Sequence, residues 1–199
     1  YEAHIAASGE VPTRSNLHDL FNALVWFSCP RTKVMLNTRQ AVQIARDGVR
    51  SRRGPVRDAA TLFDENGVLL VTRSHHIVEA LRRRDWRTAL VEHRGAWGDE
   101  VRPIVFGHAL MEKLVQPWKS ITGHVWHVNL DPRAPLDAVD AAVAASIAAN
   151  DFSPKRFSPL PVLGIPGWWH ANADHRFYDD PQVFRGVPSN SPIPVPELG

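Results

Sequence analysis

The chain has 199 residues, of which 44% are hydrophobic and 22% are charged, and its net charge at pH 7 is only +2. These values are ordinary for a globular domain and exclude a polyelectrolyte, while the longest apolar runs are too short to span a bilayer. Cys29 is the only cysteine, which excludes an intrachain disulfide and a thiolate metal cluster within one chain.

The first predicted elements are helices. A short helix ends near Gly9, and a central helix starts at residues 13–16, whose Thr, Ser and Asn side chains can accept hydrogen bonds from the free N–H groups of a first turn. Pro30 suits the first turn of a further helix, which we expect to run towards Ala45. The central helix carries the apolar spacing of a core-facing stripe, formed by Leu17, Leu20, Phe21, Leu24 and Val25.

The middle of the chain gives the clearest strand signal. Residues 49–57 form a predicted basic loop, and residues 60–73 follow as two strands around Asn66-Gly67, a pair that supplies the positive φ angles of a tight hairpin turn. Further on, the pattern predicts helices at 74–83, near 85–90, at 106–115 and at 136–149, and a strand at 123–130.

From Phe152 onward prolines recur and no helical period survives. Trp168, Phe177 and Phe184 are too apolar to leave in water, so we expect residues 160–184 to wrap on the domain as an extended segment. The predicted fold is α+β, with helices packed on a small, mainly antiparallel sheet and a Pro-rich C-terminal wrap. Residues 1–185 would form one globular domain, and residues 186–199 a loose tail.

Several blocks of the sequence resemble one family. HDLFNALVW at 18–26, PRTK at 30–33, RDAATLFDENG at 57–67, FGHALMEKL at 106–114 and FYDDPQVFR at 177–185 are similar to the uncharacterised bacterial family DUF3025. The resemblance covers nearly all of the chain and carries no activity. It implies that these blocks belong to one domain, which favours a shared site.

The candidate chemistry centres on the start of the central helix. His18, Asp19 and His108 are the predicted catalytic residues, because imidazole and carboxylate groups bind divalent metals and transfer protons. Zinc, manganese or iron are the metals that such ligands suit. Alternatively, His18 and Asp19 cap the helix start, and the acids at 64–65 form a turn. The predicted metal ligands are His18, Asp19, Asp58, Asp64 and His108, with Glu65 as an alternative acid.

Basic residues suggest the kind of substrate. Between Arg31 and Arg57 the chain has seven arginines and one lysine against a single acid, Asp47. Guanidinium groups bind phosphate and carboxylate bidentately. The predicted substrate-binding residues are Arg14, Asn22, Arg31, Lys33 and Arg57.

The leading hypothesis is therefore a metal-dependent hydrolase that acts on an anionic substrate, phosphate-containing substrates included. One alternative is a non-catalytic module that binds nucleic acid or another polyanion, and another is a structural or partner-binding domain. We expect no membrane association. The sequence shows no signal peptide and opens at Tyr1 without a methionine, so a cytoplasmic location is only the default expectation.

Overall fold

A computed structural model describes residues 2–47 and 54–187. None of the helices in these ranges combines the length and the apolar character needed to cross a bilayer. The elements, in chain order, are α1 (Glu2–Ser8), α2 (Leu17–Ser28), α3 (Pro30–Asp47), α4 (Pro55–Asn66), β1 (Gly67–Thr72), α5 (His75–Arg82), β2 (Val101–Val105), α6 (His108–Lys113), β3 (Thr122–Val128), α7 (Leu136–Ala149) and β4 (Ser158–Pro161). One π-helical turn and several 3₁₀ turns connect them.

The four strands form one mixed sheet in the order β2-β1-β3-β4. β1 is antiparallel to β2 and parallel to β3, and β3 is antiparallel to β4. Two of the three pairings are thus antiparallel, and the α+β prediction is confirmed. β1 is buried along its whole length, as a central strand covered on both faces should be.

Successive side chains of β1 point to opposite faces of the sheet and join two separate cores. Leu69 and Val71 pack with Phe63 of α4 and with apolar residues of α2, α3 and α7. Val68 and Leu70 pack instead with α5 and with the segment that follows β4. The sheet therefore lies between a layer of four helices and a second layer built from α5 and the C-terminal segment.

The C-terminal segment wraps on the domain as predicted. Phe177, Tyr178 and Phe184 are buried in the core on the α5 side of the sheet, and the Tyr178 hydroxyl donates to the carbonyl of Gly164 at 2.8 Å. Trp168 is more exposed than the sequence suggested, at 38%. The predicted loose tail lies mainly outside the described residues and stays a prediction, as does the domain boundary.

The predicted hairpin at residues 60–73 is wrong in its first half. Residues 60–66 belong to α4 rather than to a strand, because Pro55 starts a helix and Ala59, Ala60 and Phe63 fall on one buried helical face. Gly67 has φ −70° and ψ 144°, so Asn66-Gly67 is the junction from helix to strand and no positive-φ turn exists there. Residues 55–57, expected in a basic loop, form the first turn of α4, and residues 49–53 lie outside the described residues.

The predicted core-facing stripe of α2 is also wrong. Leu17 and Leu20 are each 50% exposed, and only Val25 of the stripe is fully buried. The buried face of α2 carries Asp19 and Asn22 beside Val25. Asn22 accepts from Lys33 of α3, and Asp19 accepts from Arg14 just before α2, so burying them costs little and the more apolar face is left outside.

Candidate functional site

The candidate site lies where the start of α6 meets the end of α4 and the first turns of α2. A close backbone approach brings these parts together: a Cβ atom on Gly107 would lie 2.4 Å from the carbonyl oxygen of Glu65 and 2.5 Å from the backbone nitrogen of Gly67. The Gly107 N–H donates to the Gly67 carbonyl at 2.8 Å. Only glycine permits this approach, and it sets His108, the first residue of α6, against Asp64 in the last turn of α4.

Two imidazoles meet at the centre of the site. Nε2 of His18 and Nε2 of His108 are 3.1 Å apart, and the ring planes make an angle of 80° with 4.5 Å between ring centres. A head-on N–H···N bond of this length would separate the ring centres by about 5.4 Å, because each Nε2 lies about 1.15 Å from its ring centre. The two nitrogens are therefore not aimed straight at each other, and the contact is bent.

Each imidazole has a carboxylate on its other side. Glu112 Oε2 lies 2.9 Å from Nδ1 of His18, and Asp64 Oδ2 lies 3.7 Å from Nδ1 of His108. The first contact is a hydrogen bond; the second is too long for one, and Nδ1 of His108 has no hydrogen-bond partner among the described residues. The second contact is therefore electrostatic, and Asp64 and Glu112 flank the pair from opposite ends.

Lys33 extends the network behind Asp64. Its side chain is almost fully buried, and its Nζ donates to Asp64 Oδ1 at 2.5 Å and to Asn22 Oδ1 at 2.8 Å. The ammonium group also lies 5.2 Å from the centre of the Trp26 ring, within the range of a cation–π interaction. A buried ammonium group is tolerated because a carboxylate and an amide compensate it.

The surroundings of His108 favour the neutral form of its imidazole. Its burial lowers its pKa below the ordinary value, and this effect outweighs the nearby Asp64 carboxylate, which raises it. The neighbouring charges of Lys33 and His18 lower the pKa further. A neutral imidazole has a free lone pair for a metal or a proton.

The structure brings five of the predicted site residues into one network: His18, Asn22, Lys33, Asp64 and His108. It adds Glu112, which the sequence analysis missed. A signal for Glu112 was present, because it follows His108 by four residues in a predicted helix and must share its face.

The other predicted residues have different contacts. Asp19 accepts from the backbone N–H of Arg14 at 2.6 Å and from its guanidinium, and these bonds lower the pKa of Asp19. Asn16 caps α2 by accepting from the Asp19 N–H at 2.8 Å, which confirms one of the cap candidates predicted at residues 13–16; the alternative, a cap formed by His18 and Asp19, is wrong. Asp58 lies exposed in the first turn of α4, six residues and thus about 9 Å along the helix from Asp64.

The predicted anion-binding arginines are not gathered at the site. Arg31 bonds Asp137 of α7 at 2.6 Å, and its backbone N–H donates to Asp140. Arg57 lies in the first turn of α4, and its Nε is buried without a hydrogen-bond partner among the described residues. Of the predicted substrate-binding residues, Asn22 and Lys33 belong to the network.

Within residues 2–47 and 54–187, no three His, Cys, Asp or Glu side chains are grouped so that they could hold a metal ion together. The predicted five-residue ligand set is therefore not assembled there. What is assembled is a pair of imidazoles, each with a carboxylate on the nitrogen that faces away from the pair.

A wider depression of about 410 Å³ opens at the other end of the strands, beyond the C-terminal ends of β1 and β3. Its lining includes Arg73, Glu100, Asp131 and Arg133. These side chains are exposed, so water screens their charges and leaves little to hold a ligand. The buried network around His108 is the better candidate.

A family model described as Protein of unknown function (DUF3025) matches residues 1–187, nearly the whole chain. No curated protein and no solved structure shows a significant match. The resemblance drawn from the sequence blocks is confirmed, and the chemistry has to be argued from the site itself.

Proposed function

Because the chain belongs to the family described as Protein of unknown function (DUF3025), we propose a function from the geometry of the site: a hydrolase that binds a divalent metal ion through Nε2 of His18 and Nε2 of His108. Asp64 and Glu112 would orient the two imidazoles. Lys33 and the metal would attract an anionic substrate.

The distances between the nitrogens and between the ring centres of the two imidazoles are the main support for this proposal. Two metal–nitrogen bonds of about 2.05 Å, with the nitrogens 3.1 Å apart as here, make an angle of about 98° at the metal, between octahedral and tetrahedral values. The ring centres would then lie about 4.8 Å apart, nearer to the observed 4.5 Å than the value for a head-on hydrogen bond.

The carboxylates support the same interpretation. A histidine that binds a metal through one ring nitrogen usually has a carboxylate, carbonyl or water at the other, which fixes the tautomer and the ring orientation. Glu112 stands in this place for His18, at hydrogen-bond distance. Asp64 lies on the corresponding side of His108 but at 3.7 Å, so it acts on this ring by its charge alone. Of the five metal ligands predicted from the sequence, the proposal keeps two, His18 and His108.

Two protein ligands are fewer than the three of most catalytic zinc sites, so the remaining positions would be filled by water and by substrate oxygen. Imidazole ligands suit zinc and iron, and the oxygen of water and substrate also suits manganese. A divalent ion held there would supply a Lewis acid and lower the pKa of a bound water molecule. The affinity for the metal alone should accordingly be modest.

Charge favours an anionic substrate only when the metal is bound. Lys33 contributes one positive charge and Asp64 and Glu112 two negative ones, so the network without a metal is net negative. A divalent ion reverses the sign, and the field then attracts phosphate or carboxylate groups. By contrast, nucleic-acid binding has no supporting observation, since Arg14 and Arg31 are paired with acids of this chain.

Metal content and metal-dependent hydrolysis test the proposal. Protein purified without an affinity tag, treated with a chelator and then equilibrated by dialysis with an excess of zinc or manganese should hold one ion per chain above the concentration in the dialysis buffer, as elemental analysis measures it. It should then hydrolyse a p-nitrophenyl phosphate mono- or diester. His18→Ala and His108→Ala should lose both properties, whereas the matched control His76→Ala, at an exposed position in the first turn of α5, should keep them.

Two results would count against the proposal. One is metal retained equally by wild type and by both variants, which would place the ion elsewhere. The other is a correctly folded wild-type protein that binds no zinc, manganese or iron at equilibrium with an excess of the ion.

A further inference from the structure

The helix α2 presents a row of large apolar side chains to solvent. Leu17, Leu20 and Leu24 are 50%, 50% and 47% exposed, and Phe27 is 84% exposed. These residues follow one another at intervals of three, four and three, so they lie along one face of the helix. That face is opposite the buried one, and the four side chains are called the outer row below.

The outer row is large enough to form the centre of a protein interface. Its four side chains leave roughly 400 Å² of apolar area in water, within the range of the largest patches on single proteins, which are often functional. The core of a homodimer interface is about 65% apolar, so this area corresponds to about 600 Å² per copy, whereas a specific interface needs about 500 Å² per copy. The outer row therefore suffices for a small but specific dimer.

The composition of α2 indicates a partner that is a protein with an uncharged surface. The sequence LHDLFNALVWFS contains no lysine or arginine, and its one acid, Asp19, lies on the buried face. A helix that binds a membrane surface is usually rich in Lys and Arg beside its apolar face, and nucleic-acid binding needs such residues for the phosphates. Because the outer row carries no charge, it can meet an identical row without electrostatic repulsion.

The spacing of the outer row is the same in both chain directions. Leu20 and Leu24 lie two residues on either side of position 22, and Leu17 and Phe27 lie five residues on either side of it. A two-fold axis at this level would place Leu20 against Leu24 of the partner subunit, with the two helices antiparallel. An interface of this symmetry requires one surface to complement itself, and alternating intervals of three and four residues are those at which paired helices interdigitate.

We propose that the chain forms a two-fold symmetric homodimer in which the α2 helices of two copies pair antiparallel through the outer row. Pairing covers Phe27, the most exposed of the large apolar side chains in the described part of the chain. It also explains why the more apolar face of α2 is the outer one. The dimer does not depend on the proposed metal site.

Sedimentation equilibrium of the full chain, from about 1 to about 200 µM, measures the association. The wild type should be a reversible dimer with a dissociation constant in the micromolar range, as expected of a small interface. Phe27→Ser and Leu24→Glu should each weaken dimerisation at least about tenfold, and both replace exposed side chains, so the fold should be kept. The control Trp168→Ser, 38% exposed in the C-terminal segment on the other side of the sheet, should dimerise like wild type.

Mixing two variants tests the antiparallel arrangement. Leu20→Lys and Leu24→Glu should each dimerise poorly alone, because each places a charge against the leucine of its partner. In an equimolar mixture the new lysine of one copy faces the new glutamate of the other, so the mixture should dimerise several-fold more tightly than either variant alone. A mixture that gains nothing would refute the antiparallel pair.

Two further results would overturn the inference. A folded wild type that stays monomeric at about 200 µM refutes the dimer, and if it then sediments with vesicles of phosphatidylcholine and phosphatidylglycerol, the outer row belongs to a membrane surface instead. A dimer that Phe27→Ser and Leu24→Glu leave unchanged refutes the outer row as the interface. None of these measurements involves a metal, so their outcome is separate from that of the proposed function.

Discussion

Replacing Lys33 by methionine should destabilise the protein by about 3 kcal/mol, because the substitution leaves Asp64 without its cation in a largely dry site. The side chains of Lys33 and Asp64 are 5% and 18% exposed. Breaking a buried ion pair typically costs about 3–5 kcal/mol, and the small residual exposure of Asp64 places the value at the lower end. The amide oxygen of Asn22 also loses its donor.

Urea unfolding followed by circular dichroism measures this cost. A double-mutant cycle with Lys33→Met and Asp64→Asn should give a coupling free energy of at least about 2 kcal/mol, because the double variant no longer buries an unpaired charge. The control is the ion pair of Arg133 and Asp99, whose atoms are as close, at 2.6 Å, but whose side chains are 81% and 70% exposed. Arg133→Met should cost less than about 0.5 kcal/mol. Equal costs at the two pairs, or additive effects in the cycle, would refute the reasoning.

Other parts of the structure make further predictions. Gly107→Ala should lower the free energy of unfolding by about 3 kcal/mol, because the added Cβ meets backbone atoms. The control Gly95→Ala, with open space around the added Cβ, should change the free energy of unfolding little. Equal effects of the two substitutions in urea unfolding would contradict this. Burial raises the pKa of the Cys29 thiol to about 12, so Cys29 should resist alkylation at mildly alkaline pH until urea unfolds the chain, and rapid labelling of native protein would contradict it. Burial lowers the pKa values of His124 and His127, so the unfolded state binds more protons and stability should fall as the pH drops below about 6.5. In thermal unfolding, the melting temperature of a His127→Gln variant should fall less steeply with decreasing pH than that of wild type. An equally steep fall would count against the assignment.

Much of the helical architecture could be predicted from local sequence signals. The helix at 136–149 has the predicted bounds, because proline precedes it and alanine, the best helix former, fills it. The strand GVLLVT was recognised from its β-branched and leucine residues. β2 and β4 were missed because each contains proline, Pro103 in β2 and two prolines in β4, and proline normally argues against a strand.

The two errors have one physical origin, which is that a local pattern does not say which neighbour a face will meet. In α2 the apolar stripe was assigned to the core, yet the opposite face is the buried one, because Lys33 of α3 and Arg14 provide partners for its polar residues Asn22 and Asp19. At Asn66-Gly67 the dipeptide indicated a turn, but the helical spacing of the residues before it prevailed.

The candidate site was predictable in part. His18, Asn22, Lys33, Asp64 and His108 were chosen by residue type and by their places in the sequence blocks, and they do converge. Their exact roles depend on long-range packing, above all the approach of Gly107 to the end of α4, and no local signal encodes that. For the same reason the burial of Lys33, Asn37 and Gln40 on one face of α3 was not foreseen, since a polar helical face normally indicates solvent.

X-ray absorption spectroscopy of zinc-loaded protein tests the central claim most directly. The spectrum should show imidazole nitrogens as the protein ligands, two per zinc at about 2.0–2.1 Å, with oxygen from water completing the shell. His108→Ala should leave one imidazole at most. Zinc surrounded by oxygen alone, or a spectrum that His108→Ala does not change, would contradict the claim that the two imidazoles share a metal ion.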